Sequence, residues 1–117
     1  MHPLQPQPIL HFWFEELTAK QHFVKDAALD ETIRARFGDT LEAAARCELF
    51  AWRATAHGRL AEIIVLDQFS RNVYRDTPRA FAQDALALVL AQELGASTQD
   101  RSLREAQRVF AYMPYMP

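Results

Sequence analysis

Apolar residues recur at helical spacing along almost the whole chain. Ile9, Phe12, Trp13 and Leu17 fall at i, i+3, i+4 and i+8, which predicts a first helix over 8–17 with Pro8 in its opening turn. Thr18 and Gln21 have capping-box spacing and open a short turn carrying Phe23. Asp26 is placed to cap a helix whose stripe is Leu29, Ile33 and Phe37 and which Gly38 is expected to end. Asp39 and Glu42 then read as the capping box of a separate helix lined by Leu41, Ala45, Leu49 and Trp52. A break is expected at 55–58. From Arg59 to Tyr74 the apolar residues surround the cylinder, the mark of a buried helix, so this segment is predicted to lie at the centre.

Thr77–Pro78 reads as the cap and first position of the next helix, running to Leu94 with Gly95 at its end. It carries two stripes, one of Phe81, Ala85, Leu88 and Val89 and one of Leu86, Leu90 and Leu94, which suggests two neighbours. Ser102 and Glu105 form a third capping-box pair before a last helix lined by Leu103, Ala106, Phe110 and Met113 and stopped by Pro114. No run alternates with period two. The fold class is therefore all-α, and the short connections favour antiparallel helix pairs.

Composition narrows the function classes. The 117 residues fit one domain, expected over 8–117 behind an extended, proline-rich arm over 1–7. The formal charge of −2 does not favour nucleic acid. No apolar run is long enough to span a bilayer, so no membrane partner is expected. One cysteine, Cys47, cannot form an intrachain disulfide. The amino-terminal residues have neither the basic nor the apolar region of a signal peptide, and the expected location is the cytoplasm.

Four stretches carry a resemblance: ILHFWFEEL at 9–17, HFVKDAALDETIRARFG at 22–38, GRLAEIIVLDQFSRNVYRDTPRAFAQDALAL at 58–88 and RVFAYMPYMP at 108–117. Together they resemble the bacterial family of domain of unknown function 924 over nearly the whole chain. The resemblance implies an all-helical array similar to tetratricopeptide-like α-α superhelices and brings no established activity. Family members continue past the YMP segment with a His-Ser-Glu motif and further helices, whereas this chain ends at Tyr115-Met116-Pro117. The resemblance thus implies a C-terminal third that is lacking and an apolar face left open, and a homo-oligomer through that C-terminal face is expected.

The candidate site lies on the predicted central helix. At about 100° per residue, Asp67, Gln68, Arg71 and Arg75 share roughly a third of the circumference. Asp67 precedes Arg71 by four, the favourable order for an ion pair, and a buried charge must be paired. The plainest reading is an internal Asp67–Arg71 pair with Asn72 and Arg75 bonded to loop carbonyls. The sharper one is a pocket in which Arg71, Arg75 and Arg79 receive a small anionic ligand or a peptide carboxylate, with Asp67 orienting Arg71 and Gln68 and Asn72 adding neutral donors. The function expected is an uncharacterised protein- or small-anion-binding module. The alternative is a small enzyme centred on Asp67, Arg71 and Arg75.

Other chemistry is thinly represented. His11–Glu15 and His22–Asp26 are i, i+4 pairs, but two ligands are too few for a structural zinc site, and neither metal nor cofactor is expected. Ser70 lacks a nucleophile-elbow sequence, and Cys47 lies between Arg46 and Glu48, whose effects on the thiol oppose each other. Phe12, Trp13, Phe14 and Trp52 read as core.

Overall fold

A computed structural model describes residues 4–116; His2 and the opening of the predicted arm lie outside them. Among the described residues every regular element is helical. The segment Gln7–His11 (α1) begins with Pro8 in its first turn and continues through wider π turns over Phe12–Glu16, closed by Leu17 N–H donating to the Phe12 carbonyl at 3.1 Å. The Thr18–Gln21 box forms: Thr18 N–H donates to Gln21 Oε1 at 2.7 Å, and Gln21 N–H to Thr18 Oγ1 at 3.4 Å. Asp26 caps the next helix by accepting from the Ala28 and Leu29 amides.

That helix, Ala27–Ala45 (α2), corrects the expected break at Gly38. Gly38 sits in its interior, and Asp39 and Glu42 lie within it rather than capping a second one. Glycine costs a helix interior about 1 kcal/mol. Here Ile33, Phe37, Leu41 and Ala44 form one continuous buried stripe, and that burial outweighs the glycine. The chain reverses after α2 through Cys47 at φ 59° and a 3₁₀ turn over Phe50–Ala54 that buries Trp52.

The buried central cylinder is observed, but the break expected at 55–58 is not: only Thr55 stands outside, as the cap, and Ala56–Gly58 form the first helical turn. The cylinder comprises Ala56–Ile63 (α3), π turns over Ile64–Phe69 and Ser70–Val73 (α4), and every residue from Leu60 to Asp67 is buried. Thr55 caps α3 by accepting from the Gly58 amide at 3.0 Å. Gly58 is required there, because a Cβ would stand 1.9 Å from the Trp52 carbonyl oxygen. The cylinder packs on α2 along its second half and on Asp84–Ala96 (α5) and Glu105–Tyr112 (α6) along its first. Arg34 Nη2 donates to the Val73 carbonyl at 2.6 Å and satisfies one of the acceptors left at the cylinder's end.

Two further starts differ from expectation. Thr77 does not cap α5; its hydroxyl donates to the Tyr74 carbonyl at 2.7 Å, and Pro78–Phe81 is a 3₁₀ turn. Ser102 donates to the Gln99 carbonyl, while the Gln107 side chain accepts from the Arg104 amide to start α6. Of the two stripes expected on α5, Leu90 and Leu94 are buried, with Leu86 packed against the core. Of the other, Ala85 and Val89 are exposed, as is Phe81 in the preceding turn, while Leu88 is half-buried.

Candidate functional site

The carboxyl end of the central cylinder projects the predicted polar arc. Asp67 belongs to the last π turns, Arg71 and Asn72 to α4, and Arg75 follows it. Although the π turns widen the helix at Asp67, the i, i+4 pair is kept. Arg71 Nη1 donates both to Asp67 Oδ1 and to the Asp67 carbonyl, each at 2.7 Å. Arg71 Nη2 donates to Asp84 Oδ2 of α5 at 3.2 Å. Gln68 Nε2 donates to the second Asp67 oxygen at 2.9 Å. Burial pushes the Asp67 carboxyl above the usual carboxylate range, against the opposing pull of Arg71 and Gln68.

Next along the chain, α2 supplies a second acid. Arg75 Nε and Nη2 hold the two oxygens of Asp30 at 2.7 and 3.0 Å, and Asn72 Nδ2 donates to Asp30 Oδ1 at 2.8 Å. Burial alone would raise Asp30; the Arg75 and Asn72 hydrogen bonds outweigh it and hold the carboxyl below its usual range. The expected bonding of Asn72 and Arg75 to loop carbonyls is thus replaced by a carboxylate clamp between elements.

In front of these pairs lies a cavity of about 210 Å³ lined by His22, Phe23, Val24, Lys25, Gln68, Arg71, Asn72 and Arg75. Asp30, Asp67 and Asp84 are not among its lining residues. They hold Arg71 and Arg75 by hydrogen bonds, which fixes the orientation of the guanidinium groups.

The structure brings Gln68, Arg71, Asn72 and Arg75 to one cavity, with Asp67 behind. Arg79 is elsewhere: its guanidinium lies 4.1 Å from the Tyr74 ring centroid, and it pairs with Glu42, which also accepts from the Tyr74 hydroxyl at 2.8 Å. Pro78 redirects the chain between Arg75 and Arg79, so the four-residue step does not carry across.

Sequence spacing along the cylinder could not find the opposite wall, which comes from residues 22–25. Its only local signal is the Thr18–Gln21 box, which sets the turn that delivers His22. That histidine does not pair with Asp26. Its Nε2 lies 2.7 Å from the Trp13 carbonyl oxygen and its ring stacks on Trp13 at 4.5 Å. Facing a bare carbonyl, Nε2 carries the hydrogen.

A second buried ion pair went unforeseen. Glu62 is wholly buried in α3, and Arg53 Nε and Nη2 reach its two oxygens at 2.9 and 2.8 Å. Ser70 Oγ is buried without a hydrogen-bond partner among the described residues. Among those residues no group of His, Cys, Asp and Glu could hold a metal ion, and no helix is long and apolar enough to cross a membrane.

Comparison with known proteins gives two matches. The model of a family described as bacterial protein of unknown function (DUF924) matches residues 9–117. The solved structure of a protein of unknown function from Agrobacterium tumefaciens is similar, at 39% identity and a TM-score of 0.89. The similarity covers 94% of this chain and 62% of that one, so the chain spans less than two thirds of that structure's length. No curated protein matches the chain.

Proposed function

The chain belongs to the bacterial family DUF924 of proteins of unknown function, and for it we propose a binding function, with the cavity at the end of the central cylinder receiving a small anion. One observation carries this reading. The cavity gathers Lys25, Gln68, Arg71, Asn72 and Arg75, all able to donate hydrogen bonds, and no carboxylate lines it. The acids lie behind the arginines and preorganise them, so little side-chain freedom is left to lose on binding. Planar guanidinium groups suit carboxylate and phosphate oxygens. A volume of about 210 Å³ suits a ligand smaller than the usual drug-sized one.

The alternative, a small enzyme around Asp67, Arg71 and Arg75, has one observation in its favour, the raised proton affinity of Asp67. Against it, Asp67 does not line the cavity, and Arg71 and Gln68 engage both its oxygens.

The test is thermal denaturation of the purified chain across concentrations of acetate, phosphate and other small anions at constant ionic strength. A saturable rise in Tm is expected. Arg75→Gln should abolish it. Arg79→Gln, which alters an arginine outside the cavity, should preserve it. A rise insensitive to Arg75→Gln, or none at all, rejects the anion site.

A further inference from the structure

We infer that this cavity takes a small organic monocarboxylate with an apolar group beside its charged end, the carboxylate held by Arg71, Asn72 and Arg75 and the apolar part laid against Phe23 and Val24. The inference rests on the anion reading of the cavity and adds the ligand's chemical class.

The first argument is the apolar rim. Phe23 is 66% exposed and Val24 47%, yet both line a cavity whose other residues are polar. Phe23 is firmly backed rather than loose: its ring stacks on Phe110 at 6.0 Å and meets the His22 ring edge-on at 6.1 Å. Its outer face is therefore a preformed apolar surface beside the donors.

The second argument is charge. The cations around the cavity already have partners: Arg75 has Asp30, Arg71 has Asp67 and Asp84, and Lys25 has Asp76 at 3.6 Å. Four carboxylates face three cations, so no positive surplus awaits a dianion such as phosphate. What remains is directional. Among the described residues, Arg75 Nη1 and Arg71 Nε donate to no acceptor. Those hydrogens can orient a carboxylate, but most of the affinity must come from apolar burial, which the rim supplies.

The same chemistry is presented by a free acid and by a peptide chain end with a large apolar last residue, and the experiment separates them. The whole chain is titrated calorimetrically with acetate, inorganic phosphate, phenylacetate and a tripeptide ending in phenylalanine. Phenylacetate or the tripeptide is expected to bind roughly tenfold more tightly than acetate or phosphate, the gain of burying a few tens of Å² of apolar ligand. Whichever of the two is tighter identifies the source. Phe23→Ser should remove that advantage, read as the ratio of the phenylacetate and acetate affinities of the same variant. Phenylacetate and tripeptide both binding no better than acetate, or an advantage that survives Phe23→Ser, overturns the ligand class while leaving an anion site. Absence of binding by all four overturns the anion reading as well.

Discussion

Arg75 clamps Asp30 through two hydrogen bonds, of 2.7 and 3.0 Å, across 45 positions of sequence. The pair ties the start of α2 to the end of the central cylinder. It also spends two of the guanidinium nitrogens on the acid and leaves Nη1 without an acceptor among the described residues. The contact joins two elements of the fold at a residue that lines the cavity, so its loss should be visible first in stability.

Asp30→Asn removes the charge and should cost about 1–3 kcal/mol at neutral pH, because Arg75 and Asn72 lose a charged acceptor in a partly buried setting. The loss is pH-dependent. Asp30 is held below its ordinary value of 3.8 in the folded state. Its contribution is therefore fully present above that value and disappears as pH falls through the lower folded one. Urea denaturation of both proteins should give curves that converge in strong acid. A constant difference down to pH 2 would refute the clamp.

Asp67 should behave with the opposite sign. Burial raises its carboxyl above the ordinary 3.8, so the folded chain binds its proton more readily than the unfolded chain does. Its effect on stability is most favourable below 3.8 and is lost as pH rises through the folded value. Carboxyl carbon chemical shifts followed by NMR should place the Asp67 midpoint above 3.8 and that of Asp30 below. Reversal of that order would contradict the arrangement of the two acids.

Much of this fold was legible because its signals are local. The Asp26 cap, the Thr18–Gln21 box and the fully apolar cylinder around Ile63, Ile64 and Phe69 need only neighbouring residues to recognise. The break at Gly38 was misplaced because the burial of Phe37 and Leu41 on one face is a tertiary effect that a lone glycine does not reveal. For the site, spacing along one helix gathered Gln68, Arg71, Asn72 and Arg75, which share a cavity, and grouped with them Arg79, which does not line it. Spacing could not supply Asp30, Asp84 or residues 22–25, which meet the cylinder only once the chain has folded.

Gly38 and Gly58 should respond oppositely to alanine. A Cβ at Gly38 would meet nothing within 4 Å, so Gly38→Ala should stabilise the protein by about 1 kcal/mol through helix propensity. At Gly58 the Trp52 carbonyl occupies the space, and Gly58→Ala should cost on the order of 1–3 kcal/mol as the 3₁₀ turn is displaced. Chemical denaturation of the two variants separates the cases. Equal effects would mean that the Trp52–Gly58 approach is looser than observed.

Ser70→Ala provides a check on an unused group. The hydroxyl is buried and finds no partner among the described residues. Removing it should leave stability unchanged or raise it by up to about 1–2 kcal/mol. Anion binding at the cavity should be unaffected. Destabilisation above about 1 kcal/mol would instead reveal a hydrogen bond made by that hydroxyl.

The Arg53–Glu62 pair should prove asymmetric. Glu62 is inaccessible to water at 0% exposure, whereas Arg53 retains 26%. Truncating the arginine strands a carboxylate in the interior, and Arg53→Ala should cost about 3–5 kcal/mol at pH 7. Truncating the acid strands a guanidinium that can swing outward and rehydrate, so Glu62→Ala loses packing and two hydrogen bonds but escapes most of the desolvation penalty. Glu62→Gln, which keeps the shape, separates charge from packing and should be milder than either truncation. The ordering by urea denaturation is then Arg53→Ala worst, Glu62→Ala intermediate and Glu62→Gln mildest. Finding Glu62→Ala worse than Arg53→Ala would mean that the interior around α3 depends on the acid's volume more than on neutralising its charge.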